Sequence, residues 1–136
     1  MDHLSKAKRV IQIEIDELEN LLNRIDEKFS HAVNVLKTTL DSGHKFVIIG
    51  VGKCHNIGHK IAATLNSTGA PTVVLNSQNA LHGDLGIVSN GDTILALSYS
   101  GETNEILDLL PALRRFKINI ISMTGNTGSS LGRNSD

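Results

Sequence analysis

Thr93-Ile94-Leu95-Ala96-Leu97-Ser98-Tyr99-Ser100-Gly101-Glu102-Thr103-Asn104-Glu105 is the stretch that decides how this chain is read. Its first five residues form an apolar run suited to a buried strand. Ile106-Leu107-Asp108-Leu109-Leu110, just beyond it, reads as a helix. Three hydroxyls and a glycine therefore fall where a strand turns into a helix. There the first helical N–H groups lack backbone partners and the helix dipole favours an anion. Ser98, Ser100 and Thr103 add donors with little bulk, and Gly101 lets the backbone approach a ligand closely. The turn reads as a phosphate site. The plainer reading is a capping box over residues 100–103 with Ser100 as N-cap, but a cap needs only one hydroxyl.

Outward from this stretch the same alternation repeats. Phe46-Val47-Ile48-Ile49-Gly50 is a short β-branched run suited to a strand buried on both faces. A helix is predicted over 57–67, a strand over 72–75 and a strand beginning at Thr93. A helix over 103–116 is predicted to kink at Pro111. A strand follows over 118–122, and Ser129 is positioned to cap a last turn. Residues 79–88 read as a glycine-punctuated loop with at most one helical turn. Strands alternating with helices predict an α/β fold, a three-layer doubly wound parallel sheet of flavodoxin-like type. Ligands in such sheets sit at the C-terminal strand ends, near the switch in strand order. The polar turns at 50–53, 76–78, 98–105 and 124–126 all fall there.

Residues 4–40 hold neither proline nor glycine, and their apolar residues recur at helical spacing. Asn23 and Asp26 are plausible caps, so two helices are predicted with a break between them. Residues 1–42 are read as N-terminal helices that pack on the domain or on a partner subunit, and 43–136 as the domain that carries the phosphate site.

Composition narrows the function. The chain has 136 residues and a formal net charge of -1, so no global field favours nucleic acid or a membrane surface. The aromatics are only Phe29, Phe46, Phe116 and Tyr99, too few to interleave with a basic stripe. No apolar run approaches the ~20 residues of a membrane span. The start of the chain does not read as a signal peptide. The single cysteine, Cys54, cannot form an internal disulfide, which fits a cytoplasmic protein.

Gly50-Val51-Gly52-Lys53 follows one strand and opens a helix, but it fits neither the dinucleotide fingerprint nor the P-loop. A nucleotide-binding reading is disfavoured accordingly. What remains is a tight turn at Gly52 and a cation, Lys53, placed to meet phosphate or a developing enediolate oxygen. Glu105 is a candidate base for a proton next to a carbonyl. His82, with Asp84 in a glycine-bearing loop, is a pocket candidate and a weak metal ligand; no metal is expected. His55 and His59 share the i, i+4 spacing of a helical zinc pair, but with no third ligand in sequence they read as a solvated pair. Cys54 reads as a packed or spectator thiol.

These residues resemble a known family. Ser98-Tyr99-Ser100-Gly101-Glu102-Thr103 is similar to the phosphosugar signature of the sugar isomerase (SIS) domain. Gly50-Val51-Gly52-Lys53, Ile57-Gly58-His59-Lys60-Ile61-Ala62-Ala63-Thr64, Ser67-Thr68-Gly69, His82-Gly83-Asp84-Leu85-Gly86 and Ile121-Ser122-Met123-Thr124-Gly125 resemble the arabinose-5-phosphate isomerases. The resemblance implies interconversion of D-arabinose 5-phosphate and D-ribulose 5-phosphate through an enediol, without a cofactor, in the synthesis of Kdo for lipopolysaccharide. It implies active-site roles for Lys53, Glu105 and His82, and phosphate contacts from Ser98, Ser100 and Thr103. It also implies a homodimer or homotetramer. The family carries a further glutamate and histidine after the fourth strand. The natural protein is therefore expected to extend past Asp136, and the chain as given to lack full activity. The alternative expectation is a non-catalytic SIS module that senses a phosphosugar.

Overall fold

The computed structural model describes every residue except Met1, Leu81 and His82, and all side chains of the described residues except that of Gln78. Residues up to Val33 and residues from Asn34 onward form two compact units.

In the first unit, α1 spans His3–Leu22 and buries none of its residues. Asp2 caps it by accepting the Leu4 N–H at 3.2 Å. The helix ends at Asn23, and Asp26 accepts the Lys28 N–H at 2.9 Å to open α2, Glu27–Asp41, whose residues from Asn34 onward belong to the second unit. The predicted break at Asn23 and Asp26 is present.

The second unit is built on four parallel strands in the order β2-β1-β3-β4: β1 Phe46–Gly50, β2 Thr72–Asn76, β3 Thr93–Leu97 and β4 Asn119–Met123. Every residue of the central strands β1 and β3 is buried, which explains their unbroken apolar runs. Side chains alternate between two apolar layers. Val47, Ile49, Ile94 and Ala96 meet Ile106, Leu109, Leu113 and Leu131 on one face. Ile48, Leu95 and Leu97 meet Ala62, with Cys54 and Ile61 beside them, on the other. The predicted three-layer doubly wound sheet is thus the observed one.

Two predicted helices have different bounds. The first, α3, runs Lys53–Ser67 and begins four residues earlier than expected. Gly52, at φ +57, turns the chain straight from β1 into the helix. The predicted 103–116 helix is two short segments, α5 Asn104–Leu107 and α6 Leu110–Leu113. Pro111 has no N–H to give the Leu107 carbonyl, so the helix is interrupted there rather than bent, and the proline sits in the first turn of α6. In the 79–88 region, α4 spans Ser77–Ala80 and a 3-10 turn spans Asp84–Ile87. The last helix, α7 Ser130–Arg133, is capped by Ser129, whose hydroxyl accepts the Gly132 N–H at 3.2 Å.

At the N-terminal end of the sheet, the buried carboxylate of Asp92 accepts from Lys45 Nζ at 2.6 Å, Ser89 N–H at 2.8 Å and Lys45 N–H at 3.2 Å. Thr39 of α2 shares a 2.6 Å hydroxyl bond with Thr93 of β3 close by. Among the described residues no helix is long and apolar enough to cross a membrane.

Candidate functional site

β1 lies between β2 and β3, so the chain leaves β1 on one side for β2 and returns on its other side for β3. The switch in strand order therefore falls between β1 and β3. Gly50, the last residue of β1, stands opposite Leu97, the last of β3. The turns 50–53 and 98–103 consequently leave the sheet side by side. A cleft of about 300 Å³ opens beside β1, lined by Gly50, Val51, Gly52, His55, Asn56, Asn76 and Ser77.

Glycine is required at the base of the first turn by close approach. A Cβ on Gly50 would stand 2.8 Å from the Cys54 carbonyl carbon and 2.9 Å from the His55 nitrogen. Gly52 precedes α3 without any side-chain cap, and Lys53 opens that helix as an exposed residue with no ion pair among the described residues. Cys54 packs partly buried against the sheet, as a structural thiol does.

The serine turn is organised from within. The Ser98 hydroxyl is buried, accepts the Gly101 N–H at 3.0 Å and lies 2.8 Å from the Thr103 hydroxyl. Ser100 is exposed; its oxygen accepts the Glu102 N–H at 3.2 Å, which leaves the hydroxyl proton directed to a ligand or solvent. The three hydroxyls are therefore not equivalent: Ser98 and Thr103 hold the turn's shape, and Ser100 faces outward.

The capping box over 100–103 does not form. Thr103, not Ser100, is the N-cap residue of α5, and its side chain makes no capping bond. Glu102 turns away instead and accepts the Ser130 N–H at 2.7 Å. That bond, with the Arg133 charge nearby, holds its carboxyl below the usual carboxylate range. Gly101, at φ +67, completes the fastening: its carbonyl accepts the Leu131 N–H at 2.9 Å, and a Cβ on it would fall 2.0 Å from the Ser129 hydroxyl. The role of residues 129–131 in shaping the turn escapes sequence reasoning. The one available signal is a second strand-to-helix turn, after β4, that is also rich in small residues.

Glu105 lies in the first turn of α5, exposed and without an ion pair among the described residues. Lys53 and Glu105 thus follow adjacent strands on the same end of the sheet. His82 lies outside the described residues. No group of three or more His, Cys, Asp or Glu gathers to hold a metal ion among those described.

Residues 39–136 match the SIS domain. The chain is 43% identical over 133 residues to the arabinose 5-phosphate isomerase KdsD of Pseudomonas aeruginosa, covering 98% of this chain and 40% of the relative. It spans about 40% of the length of the curated relatives it matches. Among solved structures it is similar to an E. coli CFT073 protein in complex with a sugar phosphate, with a TM-score of 0.82 and 37% identity, over 100% of this chain and 72% of that one. The Vibrio vulnificus NanR protein complexed with ManNAc-6P shares the fold, with a TM-score of 0.80 at 24% identity over 95% of this chain and 48% of that one. The strand order, the serine turn at the switch point and the extent of these matches agree: the chain belongs to the SIS domain family.

Proposed function

We propose that this chain is the phosphosugar-binding part of an aldose–ketose isomerase that interconverts D-arabinose 5-phosphate and D-ribulose 5-phosphate. The observation that carries the reading is the pairing of Gly50 with Leu97, from which the lysine turn and the serine turn leave the sheet side by side at the same end. The serine turn holds the phosphate through Ser100 and its backbone, shaped by Ser98, Gly101 and Thr103. The sugar then extends towards Lys53. Glu105 moves the proton between C2 and C1, and Lys53 stabilises the enediolate oxygen that develops between these steps. His82 belongs to the same pocket. No cofactor takes part. The names of the relatives support the substrate. A place for the reaction in Kdo and lipopolysaccharide precursor synthesis, in the cytoplasm, is part of the same proposal. The N-terminal helices supply the contacts of a homodimer or homotetramer.

The test is incubation of the whole protein with D-arabinose 5-phosphate in D2O, followed by NMR. Formation of D-ribulose 5-phosphate with solvent deuterium at C1, and at C2 of the recovered aldose, is the expected result. Turnover with no solvent deuterium at C1 or C2 removes Glu105 as a base that exchanges with solvent. Binding without turnover supports the second reading, a module that senses a phosphosugar, since one fold hosts both kinds of function.

A further inference from the structure

His55 and His59 stand one turn apart on α3, and their Nε2 atoms are 3.1 Å from each other. Their ring centres are 4.6 Å apart with planes at 87°. A head-on N–H···N bond adds a ring radius at each end to the nitrogen separation and sets the centres wider than this. The two nitrogens therefore lie at an angle to one another, not end to end. Two imidazole nitrogens each about 2.0–2.1 Å from one tetrahedral zinc ion lie about 3.3 Å apart. The observed nitrogen separation is close to that value, and spreading the ring centres by about 0.6 Å would aim both nitrogens at one ion.

The surroundings fix which atoms are on offer. His55 Nδ1 is buried and has no hydrogen-bond partner, so the ring presents Nε2 outward. His59 is exposed. The pair reaches a functional surface, because His55 also lines the cleft beside Gly50 and Gly52. We propose that His55 and His59 form a two-imidazole chelate for a late first-row divalent transition-metal ion, with Zn2+ as the reference ion, at the lip of this cleft. Imidazole suits Zn, Cu and Ni, whereas Mg2+ and Ca2+ seek oxygen ligands. Two protein ligands leave the remaining coordination positions to water or to an oxygen donor held in the cleft. Metal at Nε2 places the His55 proton on the buried Nδ1, which has no acceptor, and Lys53 and Lys60 add positive charge on the same helix. Both features place the affinity below that of a four-ligand structural site. The i, i+4 spacing by itself reads as a solvated pair; the nitrogen separation and the buried Nδ1 are what the structure adds.

The test is calorimetric titration of the untagged protein with ZnCl2, with MgCl2 as the comparison salt, together with thermal unfolding at rising Zn2+. The inference does not depend on the isomerase reading, because neither readout involves turnover. The expected result is binding of Zn2+ but not Mg2+. His55→Ala and His59→Ala should each weaken it by at least about tenfold, the loss that even an outer-shell partner of a metal site carries. His31→Ala, on α2, should leave it unchanged. The Zn2+-dependent rise in unfolding temperature should disappear in both variants. Should His55→Ala fail to fold, exposed His59→Gln carries the comparison alone. No Zn2+ binding by the unaltered protein, or equal affinity in the histidine variants, overturns the proposal.

Discussion

The Glu102 carboxylate accepts the backbone N–H of Ser130 at 2.7 Å, across 28 residues of sequence. This bond fastens the serine turn to the last helix and makes a local shape depend on a distant segment. Because it favours the ionised form, the carboxyl is held below its ordinary range. A carboxylate depressed in the folded state contributes stability above its unfolded pKa of about 4.3, and the contribution is lost as pH falls through the folded value. Glu102→Gln should therefore lower the urea midpoint slightly at neutral pH, with the difference from the unaltered protein vanishing in acid. The side chain is exposed, so the effect is small and salt-sensitive. Urea titrations from about pH 7 to about pH 3 measure it; parallel curves at every pH would remove the bond from the stability of the fold.

Gly101→Ala tests the same fastening sterically. The new Cβ must occupy φ +67 and meet the Ser129 hydroxyl and Thr124 Oγ1. The expected cost is about 1–3 kcal/mol in equilibrium unfolding, the range of strained glycine positions and local overpacking. Phosphosugar affinity should fall as well, since the Ser98–Thr103 geometry shifts. Wild-type affinity in a destabilised variant would detach the phosphate from this turn.

Lys53 and Ser100 should separate chemistry from binding. Lys53→Ala should reduce kcat by about 10²–10³-fold, the scale of removing one stabiliser of a developing oxyanion, with unfolding unchanged. Ser100→Leu should raise KM or abolish binding, because it places bulk where the turn faces its ligand. Steady-state kinetics on both variants, made in the whole protein, decide it. Near-normal turnover in the first removes lysine from the reaction; unchanged affinity in the second moves the phosphate elsewhere.

Asp92→Ala attacks the opposite end of the sheet. It leaves the Ser89 and Lys45 N–H groups and the Lys45 ammonium without their acceptor. The expected destabilisation is about 3 kcal/mol, the lower end for a broken buried pair, because Lys45 retains some solvent. Chemical denaturation measures it, and a change under about 0.5 kcal/mol, the scale of an ordinary surface substitution, would make the brace dispensable.

Much of the fold is legible in the chain because the central strands are apolar throughout and the turns between elements are glycine-rich. Phe46–Gly50 and Thr93–Leu97 declare themselves as buried parallel strands. The serine turn declares itself because three hydroxyls exceed what a cap needs. What is not legible depends on partners far away in sequence or on backbone angles that residue type alone does not set. Glu102 reads locally as a capping acid, yet its partner is Ser130. The helix after β1 reads as beginning at Ile57, yet Gly52 at positive φ starts it at Lys53. Pro111 promises a kink, but the missing bond to Leu107 ends one helix and lets another begin. The histidine pair is visible as a spacing, while its 3.1 Å separation depends on rotamers that no spacing specifies.

The contact between Gly50 and the first turn of α3 has a consequence for the cleft. Backbone meets backbone there, so any side chain at position 50 would push the start of α3 away from β1. A change at Gly50 would therefore alter the cleft by moving a helix, whereas changes at Asn56, Asn76 or Ser77 would alter its lining through the side chain alone.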